Sequence, residues 1–266
     1  MIRVIRRTVL SFAGLLLIWQ LAVTFGNFNP VLFPGPRKVL EAFVELCTTG
    51  LAGSSSQITL IGHLRASMIR FLAGYLASVG LGVLSGLLLG WFPAVFAYVN
   101  PVIQLLRPIA PVAWLPFIVL WVGIGDVPAI AIIFIAGFFP VLLSTAAAVK
   151  NVDRVYLKVA ENFRLSQPET LLKIVFPAVF PQIASSLHMA LGTCWIFLVS
   201  GEMVGSQTGL GFLVMDAKNC IRADALLAVM LTIGLVGLAL DFLIGLFEKK
   251  VAQIWGFRAP EYGKGR

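Results

Sequence analysis

Three ionisable residues sit inside or at the edge of long apolar runs. Glu202 closes the stretch Trp195-Ile-Phe-Leu-Val-Ser200-Gly201-Glu202, Asp241 lies on a turn with Gly237 and Gly245, and Arg107 opens a proline-interrupted run with Pro108, Pro111 and Trp114. Charge is costly in hydrocarbon, so such groups mark pathways, gates or buried pairs. Glu202 is expected to shape a gate or to pair with a basic residue such as Arg65 or Arg70; the plain alternative is a solvated carboxylate at the run's end. Asp241 is expected to hydrogen-bond a neighbouring helix. Arg107 could attract an anion or simply snorkel to headgroups. Trp114, Trp195 and Ser200 could line a conduit, although tryptophan is ordinary at membrane interfaces. No H-E-x-x-H, G-x-S-x-G or G-x-x-x-x-G-K-[ST] motif accompanies these groups, so neither enzymatic chemistry nor nucleotide binding by this chain is expected. Cys47, Cys194 and Cys220 are odd in number and dispersed, and His63 and His188 are solitary. Neither a disulfide framework nor a metal site is supported, and buried or interfacial side chains are expected.

The elements that position these groups are set by composition. Of 266 residues, 59% are hydrophobic and 12% charged, more apolar surface than a water-soluble fold of this size can hide. Only helices or closed barrels satisfy their backbone in lipid, and the period-two alternation of a barrel is absent. The expected fold is an all-α polytopic bundle in a single domain, 1–266. Six spans are expected: Val9 to Phe25, Ile69 to Trp91, Leu105 to Val122, Val127 to Val149, Ala178 to Val204 and Ala225 to Phe247. Pro108, Pro111 and Pro116 would kink or break the third. The first follows Arg3, Arg6 and Arg7 but precedes no small-x-small cleavage site, so an uncleaved helix is expected over a signal peptide.

Positive charge sets the orientation. With the N-terminus inside, fourteen of the twenty basic residues fall on the inner side: Arg3, Arg6, Arg7, Arg107, Lys150, Arg154, Lys158, Arg164, Lys173, Lys249, Lys250, Arg258, Lys264 and Arg266. Both termini and the polar segment Asn151 to Pro181 then face the cytoplasm. The net charge of +8 follows from this asymmetry and from anionic headgroups, without nucleic acid.

Outside the spans, Asn29-Pro30 and Pro34-Gly35-Pro36 lead into Leu40, Phe43, Val44 and Cys47, whose helical spacing predicts a short amphipathic helix on the outer surface. Gly50 to Ser56 reads as a flexible connector. Gly74, Ser78, Gly82, Gly86 and Gly90 recur every fourth position and predict a close helix-packing seam.

The polar segment predicts two short helices joined at a corner. Asp153 can cap a first helix running to about Arg164, with Val155, Val159 and Phe163 toward the membrane domain and Lys158, Glu161 and Arg164 outward. Ser166-Gln167-Pro168-Glu169 is a capping box opening a second helix with Leu171, Leu172, Val175 and Phe176 on its apolar side. Pro177 and Pro181 are expected to end that helix before the fifth span. An interfacial hairpin without a partner is the alternative.

This segment resembles the coupling loop of inner-membrane permeases in binding-protein-dependent ATP-binding-cassette importers, in particular the branch for nitrate, sulfonates, taurine and bicarbonate. Leu64 to Leu89, Arg107 to Asp126 (RPIAPVAWLPFIVLWVGIGD), Val175 to Pro181 (VFPAVFP) and Trp195 to Asn219 carry the resemblance, which covers most of the chain from Phe33 onward. Lys158 and Val159 stand where the family usually has the Glu and first Ala of Glu-Ala-Ala, and Arg164 replaces a corner Gly. Arg adopts a left-handed turn only at a cost, so either the corner shifts or the first helix runs a turn further. The resemblance implies a permease half of the bacterial inner membrane that pairs with a second, homodimeric copy and receives a small anionic or zwitterionic solute from an external binding protein. It also implies cytoplasmic ATPase subunits that hold ATP and Mg and grip the segment through Val155, Lys158, Val159, Ala160, Glu161, Phe163, Arg164, Ser166, Glu169 and Phe176. A stand-alone secondary transporter or channel without an ATPase partner is the alternative, although inverted repeats and a dense ionisable relay are absent.

Overall fold

The structure is a computed structural model that describes residues 2–26, 29, 31–54 and 56–254. Pro30, Ser55, Arg258, Lys264 and Arg266 lie outside the described residues, as do the side chains of Arg3 and Arg7. Every regular element described is helical: α1 (Ile2–Phe25), α2 (Pro36–Thr48), α3 (Leu60–Trp91), α4 (Pro93–Leu106), a 3-10 turn (Pro111–Trp114), α5 (Leu115–Val122), α6 (Asp126–Lys150), α7 (Arg154–Asn162), α8 (Gln167–Glu169), a π turn (Thr170–Val175), α9 (Phe176–Gly205), α10 (Leu210–Asn219) and α11 (Ala223–Ile254). They group into two compact units, Met1–Ser67 with Thr208–Leu235, and Met68–Gln207 with Val236–Arg266.

In the first unit, side chains of α3 satisfy the amides at the start of α10. Gly209 N donates to His63 Nδ1 (3.0 Å) and Leu210 N to Ser67 Oγ (2.8 Å), which replaces the partners a helix N-terminus lacks. Arg222 grips Glu45 (2.7 Å) and Asp224 (2.9 Å), tying α2 to the start of α11. These hydrogen bonds from Arg222 hold the Glu45 carboxyl below its ordinary range. The apolar stripe of α2 lies outward, with Leu40, Phe43 and Val44 exposed, while Val39, Ala42 and Leu46 are buried.

The second unit is built on the small-residue seam. A methyl group at Gly74 would meet Ile133, and at Gly82 Val141, at Gly86 Thr145 and at Gly90 Val149, while Ser78 lies against Gly137. Contacts advance by four residues on both helices, so α3 and α6 run parallel, side by side. Arg70 meets Asp126 at one end of this pair. At the other, the Lys150 ammonium sits 3.3 Å over the ring of Phe96, near the start of α4.

That geometry settles the third span. The chain leaves α3 at one end and re-enters α6 at the opposite end, so α4 and α5 must cross the full thickness between them. They do so as a broken helix, Pro93–Leu106 and Pro111–Val122 meeting at 82°. The expected span Leu105 to Val122 is corrected accordingly: the crossing begins at Pro93 and breaks at Arg107 to Ala110, where Pro108 and Pro111 each remove an amide donor. Four other helices are long and apolar enough to cross a bilayer, and Leu10–Phe25 within α1 is a shorter apolar helix at the first expected span.

A second correction concerns Pro177 and Pro181, which do not end the helix. Gln167–Gly205 is one helix of 39 residues, on the order of 60 Å long. Pro177 cannot bond the carbonyl four residues back and its ring presses on it; the wider π turn at Thr170–Val175 gives that ring room.

Candidate functional site

The elbow made by α7, α8 and the π turn follows from its caps. Asp153 Oδ1 accepts from Val155 N (2.9 Å) to start α7. Glu169 accepts from Ser166 N (3.1 Å) and Ser166 Oγ (2.7 Å) to start α8, and pairs with Lys173 (2.8 Å). Between them Arg164 turns the corner in the left-handed region, φ +49. Leu165 N bonds Ala160 O (3.1 Å) and Arg164 N bonds Glu161 O (2.9 Å), the two bonds of a Schellman ending. Both expected escapes are thus corrected. The helix stops at Asn162 and the arginine itself takes the glycine conformation, at about 1–2 kcal/mol.

The apolar stripe of α7 faces the opposite way from the sequence reading, whereas its charged residues lie outward as expected. Val155 (62% exposed), Val159 and Phe163 (74% exposed) point away from the bundle with Lys158, Glu161 and Arg164. Ala160 is buried, and Leu157 packs into a core cluster that includes Ala148, Val149, Leu171, Val175, Val179 and Ile183. Small Ala160 allows the close approach that a β-branched face would block. Leu172 is exposed, whereas Phe176 packs inward. The elbow therefore presents an apolar stripe framed by charges, on the end of the 39-residue helix that carries Glu202.

At the far end of that helix Glu202 is fully buried and meets Arg70 Nη1 at 2.7 Å, while Arg70 also holds Asp126 at 2.7 Å. One guanidinium therefore joins α3, α6 and α9. Arg107 is exposed at the end of α4 and makes no ion pair among the described residues. Arg107 thus stands at the bend where α4 gives way to the 3-10 turn. Trp114 is half-buried on the 3-10 turn, edge-on to Phe117. Trp195 is buried against Phe71 and over Gly237, and so is placed in helix packing instead of on an open wall. Ser200 Oγ donates to Ile196 O of its own helix (3.3 Å). Reading the sequence missed α4, whose interior Pro101 masked an apolar run, and Asp126 as the second, exposed carboxylate on buried Arg70.

The profile of the family described as binding-protein-dependent transport system inner membrane component matches residues 78–253, more than half of the chain. The chain belongs to this family. The permease is 32% identical over 246 residues to the taurine transport system permease protein TauC of Escherichia coli K12, covering 92% of this chain and 88% of that protein. To the nitrate import permease protein NrtB of Leptolyngbya laminosa it is also 32% identical over 246 residues, covering 92% and 86%. Its fold matches the inward-facing MetNI methionine ABC transporter with a TM-score of 0.64 at 16% identity, over 72% of this chain and 95% of that one. It is thus the multi-pass inner-membrane permease of an ABC importer, a transporter subunit and not an enzyme; the family implies an ATPase and a binding protein as partners.

Proposed function

We propose that the permease imports a small anionic or zwitterionic solute of the taurine, sulfonate or nitrate kind, handed over by an external binding protein. Two ATPase subunits, which carry ATP and Mg, dock on the elbow. The observation that carries this reading is the elbow's outward apolar stripe of Val155, Val159 and Phe163, ringed by Lys158, Glu161 and Arg164. Burying that stripe against a partner removes apolar surface from water, and the charges select the partner. Force applied there reaches the Glu202 end through a single helix, with Ser166 and Glu169 holding the corner stiff. In this reading the elbow and both termini face the cytoplasm, and a second copy of the chain closes the path. The solute class is supported by the named relatives and by Arg107, a cation at the break of a broken helix, the kind of place where transporters bind charged groups. Trp114 closes the 3-10 turn that follows the break, and the Arg70–Glu202 pair keeps an acidic group from repelling the anion. The test is co-purification and uptake. Phe163→Asp should release the ATPase, and Arg107→Ala should abolish uptake of labelled taurine or nitrate while the ATPase stays bound. Retained ATPase in the first variant, or unchanged uptake in the second, overturns the corresponding part.

A further inference from the structure

On α9 and α11 a histidine is held between two carboxylates. His188 Nδ1 lies 2.8 Å from Glu248 Oε2, and Nε2 lies 2.8 Å from Asp241 Oδ1. An ionised carboxylate only accepts, so both ring nitrogens must donate, which the imidazolium alone can do. Asp241 and Glu248 are two helical turns apart on one face of α11, and the ring bridges them. Neither carboxylate has another ion-pair partner among the described residues. The other titratable group at this junction is Tyr75 of α3, whose hydroxyl donates to Leu187 O at 2.9 Å.

The surroundings explain why this clasp matters. Gly237 leaves room for Trp195, whose Nε1 would lie 3.0 Å from an added methyl group, and Gly245 faces the His188 ring. Here, among the described residues, α11 meets the long helix through the small Gly237 and Gly245 and through this charged grip. A pair of charge-assisted bonds is about twice as strong as neutral ones, and in apolar surroundings such groups are kept for a task.

We propose that His188 is a positioning residue: as imidazolium it clasps α11 through Asp241 and Glu248, so that α11 follows the helix driven from the elbow. This goes beyond the motor contact and stands whichever partner grips the elbow.

The test uses the full-length permease in lipid nanodiscs, with the three native cysteines replaced and nitroxides at the exposed Met189 and Leu243. Spin-echo distances report how tightly α11 tracks α9, and nitrogen-15 histidine spectra, with His63 the only other histidine, report the ring's charge. The expected result is a doubly protonated His188 at pH 7.5 and a narrow distance distribution. His188→Gln broadens it roughly twofold, the effect of losing two charge-assisted bonds, and His188→Arg restores it. Asp241→Asn, altering the exposed partner, gives an intermediate width and serves if the glutamine variant does not fold. A neutral ring at pH 7.5, or a glutamine or asparagine variant as narrow as the parent, overturns the proposal.

Discussion

Substituting Gly86 and Gly80, six residues apart on α3, should move stability in opposite directions. A methyl group at Gly86 would lie 2.6 Å from Thr145 Cβ and 2.7 Å from the Leu142 carbonyl oxygen, where carbon atoms prefer about 3.5–4.0 Å. Because one obstacle is backbone, α3 and α6 must part by about 1 Å, which forfeits a quarter to a half of each contact along the seam. Overpacking of this kind costs about 1–3 kcal/mol, against about 0.5–1 kcal/mol gained when alanine replaces a helical glycine. Gly86→Ala should therefore lose about 1 kcal/mol, near the middle of a net range from ~0 to ~2.5 kcal/mol. Gly80 has nothing within 4 Å, so Gly80→Ala keeps only the gain of about 0.5–1 kcal/mol. Thermal unfolding of the purified permease, followed by helical circular dichroism with both variants side by side, measures the difference. Equal midpoints for the two variants would refute the seam.

Other expectations follow from single contacts. Arg164→Gly should stabilise the elbow by about 1 kcal/mol by relieving the left-handed arginine, seen as slower amide exchange in α7; faster exchange would show that the arginine side chain contributes more than its strain costs. Glu202→Ala should cost less than the ~3–5 kcal/mol of a wholly unpaired buried charge, because Arg70 keeps the exposed Asp126 as counter-charge, and the double replacement Arg70→Met with Glu202→Leu should recover most of that loss, as a double-mutant unfolding cycle would reveal. For Glu45 the folded carboxyl is held low by Arg222, so the pair's contribution is complete above the unfolded value of about 4.3 and is lost as pH falls through the lowered folded value. The pair is partly exposed, which limits it to about 1 kcal/mol. Exchange in α2 should accelerate only in that acid window, and Glu45→Gln should remove the acid limb.

Much of the bundle was legible because its signals are local. Glycines at every fourth position marked one side of the α3 seam, and a Ser-x-x-Glu box marked the second elbow helix. The seam's partner was not legible, because Ile133, Val141, Thr145 and Val149 look like any apolar helix face. Proline guided the reading at one place and misled it at another. At Pro108 and Pro111 the chain breaks as expected; at Pro177 the break is absorbed by widening the preceding turn, a backbone adjustment that residue types do not announce. The outward stripe of α7 was misassigned because apolar residues were read as facing the bundle, when Leu157 and Ala160 serve that role and free the stripe for another surface. The need of Glu202 for a counter-charge pointed to Arg65 or Arg70, and the structure selects Arg70. Asp241 bonds a neighbouring helix as expected, through His188, but the identity of that partner, and the roles of Asp126 and Glu248, could not be assigned, since their meeting depends on how distant helices align.

The central claim is that the elbow is gripped and driven from outside the chain. Its most direct test is uptake of labelled taurine or nitrate by vesicles carrying the permease, its ATPase and its binding protein, with and without ATP, beside a Val159→Asp permease. The account predicts uptake only with ATP, and none in the variant although its ATPase alone still hydrolyses ATP. Full-rate uptake without nucleotide, or by the variant, would contradict it.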